Sequence, residues 1–293
     1  MAAPDVKYVG AVHVFTNAGG AWEHTQALES PKPSPSGGFG AAVILQDRDL
    51  FVGEPGSGNV YCYQRSGGSW SLVQTITSPA GTGSQFGAAL AAEAGLLVIG
   101  APNVNVNTWI NKGKVYPYLL KNNRWVRDGA LGNLHTKNRS IHEAGSTFGQ
   151  AFALSQNRLA VYGSRPGGKE SIQLFVRSAK GWKREQEIVG DNAAVSNFAF
   201  YWRPPVHIAL QGTVLAWSSE PSSSITFAAK SGTAWDATAR LPGPNSLGSY
   251  NRGGGQIAFS GSMLLAGTPN FYFRLTTPNK GEWEGAVSVV DCL

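Results

Sequence analysis

Along most of the chain apolar and polar positions alternate over short stretches, and each stretch ends in Gly, Asn or Asp. Alternation with period two places successive side chains on opposite faces, as in a half-buried strand, and short Gly/Asn/Asp connections join such strands as antiparallel hairpins. The clearest copy is "FGAAVILQDRDLFVGEPGSGNVYCYQRSGGSWSLVQTI", starting at Phe39. It predicts four strands: A at Ala42 to Leu45, B at Leu50 to Gly53, C at Val60 to Gln64 and D at Trp70 to Ile76. No window holds apolar residues at i, i+3, i+4 and i+7 for three turns, so long amphipathic helices are not expected.

The same wording recurs. A Trp opens the last strand of each unit, at Trp22, Trp70, Trp125, Trp182, Trp235 and Trp283, with intervals of 48, 55, 57, 53 and 48 residues. Before each Trp a proline closes a strand and opens a loop, at Pro4, Pro55, Pro102, Pro166, Pro221 and Pro269. Proline has no N–H for a sheet ladder and belongs at a strand end. A Phe-Gly pair opens units at Phe39, Phe86 and Phe148, decays to Phe198-Ala199 and is lost around Gln256. Four-stranded units of this period predict an all-β fold, a β-propeller of antiparallel blades. Five units are full and an N-terminal hairpin is extra, giving five or six blades. The expectation is one domain over residues 1–293, with units at 1–38 (partial), 39–85, 86–147, 148–197, 198–255 and 256–293. The one-per-unit Trp set reads as packing between blades.

Composition agrees: 37 glycines, only 14% charged residues and 11% aromatics suit short strands and tight turns. The net charge of +6 is local, since Lys112, Lys114, Lys121, Arg124, Arg127, Lys137 and Arg139 face only Asp128 within their run. Such a field suits an acidic ligand; nucleic acid is not expected, and no apolar run is long enough to insert in a membrane. The N-terminus shows no secretory signal pattern.

The "FG…VGAP…G-x-V-Y-x-Y…W" wording resembles the FG-GAP repeats of integrin-type β-propellers, in their calcium-free form. The resemblance is strong in the first three full units and weak after Phe198. It implies a propeller used for recognition, an extracellular or surface-exposed setting, and no common chemistry. The family's calcium loops would lie between strands A and B, where this chain has "QDRD" at Gln46, "AEAG" at Ala92 and "SQNR" at Ser155. These turns are too short and too poor in carboxylates for calcium. No metal or other cofactor is expected, because the five histidines lack ligand spacing and the two cysteines form no CxxC. Cys62 and Cys292 could lock the ring as a disulfide if their blades are neighbours; two unpaired thiols are the alternative.

No nucleophile elbow, phosphate loop or paired-carboxylate motif is present in the sequence, so the expectation is a protein that is not an enzyme. In such a unit the B–C and D–A connections share one side and the A–B and C–D turns share the other. The elongated connections all fall on the first side. They carry Trp109, His135, Lys137, Arg139, His142, Tyr201, Trp202, Arg203, Tyr250 and Arg252, aromatic planes with hydrogen-bonding and cationic groups. The expected function is non-catalytic recognition of a glycan or protein surface through that side. The alternative is a structural subunit of a larger assembly such as a virion, fibre or surface layer. A third reading is a glycan-active hydrolase, whose carboxylates would converge from different blades.

Overall fold

The computed structural model describes residues 9–105, 112–133, 148–165, 169–193, 206–219, 224–242, 257–260, 263–274 and 281–291. Among them no helix occurs, and every sheet is antiparallel. The strands gather into two units, Met1–Ile141 with Gly145–Gln150, and His142–Ala144 with Ala151–Leu293.

The first unit begins with a two-stranded hairpin, β1 (Ala11–Ala18) and β2 (Ala21–Glu29). A four-stranded sheet follows in chain order: β3 (Ala42–Gln46), β4 (Asp49–Glu54), β5 (Asn59–Ser66) and β6 (Ser69–Thr77). These are the four strands expected from Ala42 to Ile76, each longer by one to three residues. The next sheet holds β7 (Leu90–Glu93), β8 (Leu96–Ala101), β9 (Lys114–Lys121) and β10 (Arg124–Arg127). A short β11 (Leu131–Gly132) continues the pairing along β9 after β10 breaks off.

The second unit contains β12 (Phe152–Ser155), β13 (Arg158–Ser164), β14 (Lys169–Ser178) and β15 (Gly181–Ala193) as one sheet. Another is β16 (Val206–Gln211), β17 (Val214–Ser219), β18 (Ser224–Ser231) and β19 (Ala234–Pro242). The last unit departs from expectation. It has three strands, β20 (Ile257–Ser260), β21 (Met263–Arg274) and β22 (Gly281–Asp291), with B and C fused into β21. Pro269, expected to close a strand, lies inside β21 instead, where the register shifts between Thr268 and Phe271. The shift takes the proline out of the ladder, which is how a strand tolerates a residue with no N–H.

The Phe-Gly and Gly-x-Pro words prove to be two halves of one device. Gly40 N–H donates to Gly53 O at 3.0 Å, and Gly87 N–H donates to Gly100 O at 2.9 Å. Phe39, Phe86 and Phe148 are buried, and the glycines after them take φ of 87°, 92° and 85°, a region that side chains resist. Gly53 is tighter still, since a Cβ there would stand 2.0 Å from Gly87 O.

The D strands carry a recurrent bulge. Register shifts opposite Val14/Phe15, Cys62/Tyr63, Leu174/Phe175 and Phe227/Ala228 leave Thr25, Val73, Glu185 and Thr238 unpaired, each three residues after the unit's Trp. One extra residue turns the rest of the strand over, because side chains alternate with period two. Trp70 therefore packs with Tyr61, Tyr63, Val12, Val14 and Leu28 toward the preceding hairpin. Ile76, beyond the bulge, packs with Phe51, Cys62, Leu97 and Trp125 toward the following sheet. The expectation that every Trp packs between blades fails at Trp22, which is 71% exposed.

Candidate functional site

The two ends of the sheets differ in chemistry. At the A–B and C–D end the turns are short and take left-handed φ at Asp47, Asn122, Asn123, Gln156, Asn157 and several glycines. At the B–C and D–A end polar side chains are buried: Glu54 closes β4, Lys112 precedes β9, Asn133 follows β11, and Glu170 opens β14. Ser30 and Ser84 belong to D–A connections on the same side. Gln173, in the middle of β14, is buried as well, but the buried charged side chains lie at this end.

In the first unit the centre of this end is Glu54, fully buried, which accepts a hydrogen bond from Tyr61 Oη at 2.8 Å. Burial first, and then the adjacent carboxylate, push the Tyr61 phenol up, against a lowering contribution from Ser30. The other carboxylate oxygen, Oε1, has no hydrogen-bond partner among the described residues. It lies against Gly37, where a Cβ would stand 2.6 Å away. The second unit repeats the pairing with the strands exchanged: Tyr162 on β13 donates to Glu170 Oε1 on β14 at 3.5 Å. Burial and the Glu170 carboxylate push the Tyr162 phenol well up.

A third carboxylate works differently. Glu185, the bulge residue of β15, bonds Arg158 Nε at 3.0 Å, Trp235 Nε1 at 3.2 Å and Lys230 Nζ. Burial opposes its charge, but the Lys230, Arg158 and Trp235 hydrogen bonds prevail and hold the carboxyl below the usual range. It sits at the A–B and C–D end and ties β13, β15, β18 and β19 together.

The residues singled out in the sequence, Trp109, His135, Lys137, Arg139, His142, Tyr201, Trp202, Arg203, Tyr250 and Arg252, lie outside the described residues. So does Cys292; Cys62 is a free thiol in the apolar core, and burial pushes it far up. Among the described residues no three His, Cys, Asp or Glu side chains converge on a metal position, and no helix is long and apolar enough to cross a membrane. Glu54, Glu170 and Glu185 were not singled out by sequence. The signal for Glu54 is the residue before the repeat proline, which is glutamate there and again at Glu220, whereas the copies at Ala101, Arg165 and Thr268 differ.

A protein of Bacteroides fragilis named a "putative 6-phosphogluconolactonase" superposes with a TM-score of 0.55 at 10% identity, over 91% of this chain and 70% of that one. A protein of Lactobacillus plantarum superposes with a TM-score of 0.57 at 12% identity, over 99% of this chain and 83% of that one. The fold is a β-propeller. No family model and no curated protein matches the chain. One expectation is thereby corrected. Recognition rested on the elongated connections of one side, and its non-catalytic character on the absence of a catalytic motif, yet this propeller architecture is shared with a protein named a "putative 6-phosphogluconolactonase". Residues brought together from separate blades leave no linear motif, so that absence does not argue against catalysis.

Proposed function

We propose that this chain is a hydrolase that opens an anionic sugar-derived ester or lactone at the B–C and D–A end of its blades. The observation that carries the proposal is the burial of Glu54, Lys112 and Asn133 at that end of the first unit's sheets, where binding and catalytic groups are worth their desolvation. Lys112 and Lys114, at the B–C end of β9, supply positive charge for an anionic substrate, while Lys121 and Arg124 flank the C–D turn at the other end. The name of the Bacteroides fragilis neighbour adds support of the same kind, at 10% identity.

In this reading His135 or His142 takes a proton from water as the water oxygen attacks the ester carbonyl, and returns it to the departing alkoxide when the C–O bond breaks. Arg139 holds the anionic group and the developing oxyanion. Trp109 stacks on the sugar ring. The Gly40–Gly53 and Gly87–Gly100 hydrogen bonds add support to a finer kinship with calcium-free FG-GAP propellers, since they join the two halves of that wording.

The test is an assay with glucono-δ-lactone, its 6-phosphate and p-nitrophenyl glycosides. Lactone opening faster than the spontaneous rate, lost in the double variant His135→Ala/His142→Ala, is expected. No acceleration on any member of the panel would overturn the proposal.

A further inference from the structure

The outward face of the N-terminal hairpin holds a feature that the proposed hydrolysis does not use. His13 on β1 and His24 on β2 are both exposed, and His13 Nδ1 stands 3.1 Å from His24 Nε2. Their ring centroids are 5.2 Å apart with a 49° tilt, and Phe15 sets its ring against His24 at 5.2 Å and 63°. The bulge at Thr25 produces the meeting, because it puts His24 opposite Phe15 and on the same face as His13.

We propose that His13 and His24 form a two-imidazole seat for a borderline divalent ion: copper(II), nickel(II) or zinc(II). Neutral imidazole nitrogens are preferred ligands of these ions. With metal–nitrogen bonds of about 2.0–2.1 Å, two nitrogens at this separation subtend about 100° at the metal, between the square or octahedral and tetrahedral angles. Water completes the coordination shell, since no third His, Cys, Asp or Glu joins the pair among the described residues. In the free protein one nitrogen donates its hydrogen to the other; when the ion binds, that hydrogen sits on the far nitrogen of its own ring, so both facing nitrogens present lone pairs to the metal.

The seat has a structural consequence. β1 and β2 pair with no third strand among the described residues, so their own ladder and one packed face against the next sheet hold the hairpin. An ion bridging the two strands staples them, stabilising the state that binds it.

The test is calorimetric titration of the full chain with each ion in a non-coordinating buffer, with hydrogen exchange over residues 11–29. Expected are one ion per chain, at least a tenfold loss of affinity in His13→Ala and in His24→Ala, and slower exchange of the hairpin when loaded. The double variant His135→Ala/His142→Ala should bind as the parent does, which separates this site from the one proposed for hydrolysis. Equal binding in parent and both hairpin variants, or no binding at millimolar ion, would overturn the proposal.

Discussion

The carboxamide of Gln74 bonds both backbone groups of Trp125: Nε2 donates to the Trp125 carbonyl at 2.9 Å, and the Trp125 N–H donates to Oε1 at 2.8 Å. A primary amide presents one donor and one acceptor side by side, as a neighbouring strand would, and so closes an otherwise open sheet edge. Gln26 does the same to Trp70, at 2.9 and 2.8 Å, and Gln186 to Trp235, at 2.6 and 2.7 Å. Each glutamine stands four residues after its own unit's Trp and reaches the Trp of the next.

Gln74→Ala removes both bonds and leaves two partly buried backbone groups without these partners. We expect a loss of about 1–3 kcal/mol in urea unfolding, with Gln26→Ala and Gln186→Ala similar. A cost below ~0.3 kcal/mol in all three would show that water replaces the amide without loss.

The strand plan was legible because alternation and turn residues report directly on pleat and hairpin, as the match from Ala42 to Ile76 shows. The Trp–x–x–x–Gln spacing was equally present in the sequence at Trp22, Trp70 and Trp182, yet its meaning was not. Strict alternation puts residues four apart on one face; only the bulge between them sends Trp backward and Gln forward. The fused strand β21 was hidden for a related reason, since a proline that usually ends a strand is absorbed by a register shift. At the proposed site the loop residues could be named from connection length, whereas Glu54 emerges only when burial is seen.

Gly53 tests the device that joins Phe-Gly to Gly-x-Pro. Gly53→Ala drives a Cβ into the Gly87 carbonyl, backbone against backbone, which neither side can relieve by a rotamer change. A loss of more than ~2 kcal/mol is expected. Gly132→Ala is the control: nothing lies within 4 Å of its Cβ position, and its melting temperature should not move. Equal melting temperatures for the two variants would refute the close approach.

Glu185 makes a pH-dependent contribution. Its folded pKa lies below the ordinary 4.5, so its stabilisation is present above that value and is lost as pH falls through the folded pKa. Glu185→Gln should lower stability at pH ~7 and converge with the parent in acid, below both pKa values. The partly buried Arg158 and Lys230 lose their shared carboxylate in this variant, which makes the change larger than for an exposed ion pair. A constant difference between the two proteins across the acid range would rule the linkage out.

His207 carries the opposite proton linkage. It lies half-buried on β16, and burial holds its pKa below the ordinary 6.5. The unfolded chain therefore binds a proton before the folded one does, and stability falls as pH drops through about 6.5 and on toward the folded value. Above that window His207 is neutral in both states and contributes nothing to the slope. His207→Phe removes the titrating group, so its stability should decline less than the parent's between pH ~7 and ~5, with the difference read from paired urea titrations at each pH. Parallel declines in parent and variant would mean that the ring is as easily protonated in the folded protein as in the unfolded chain.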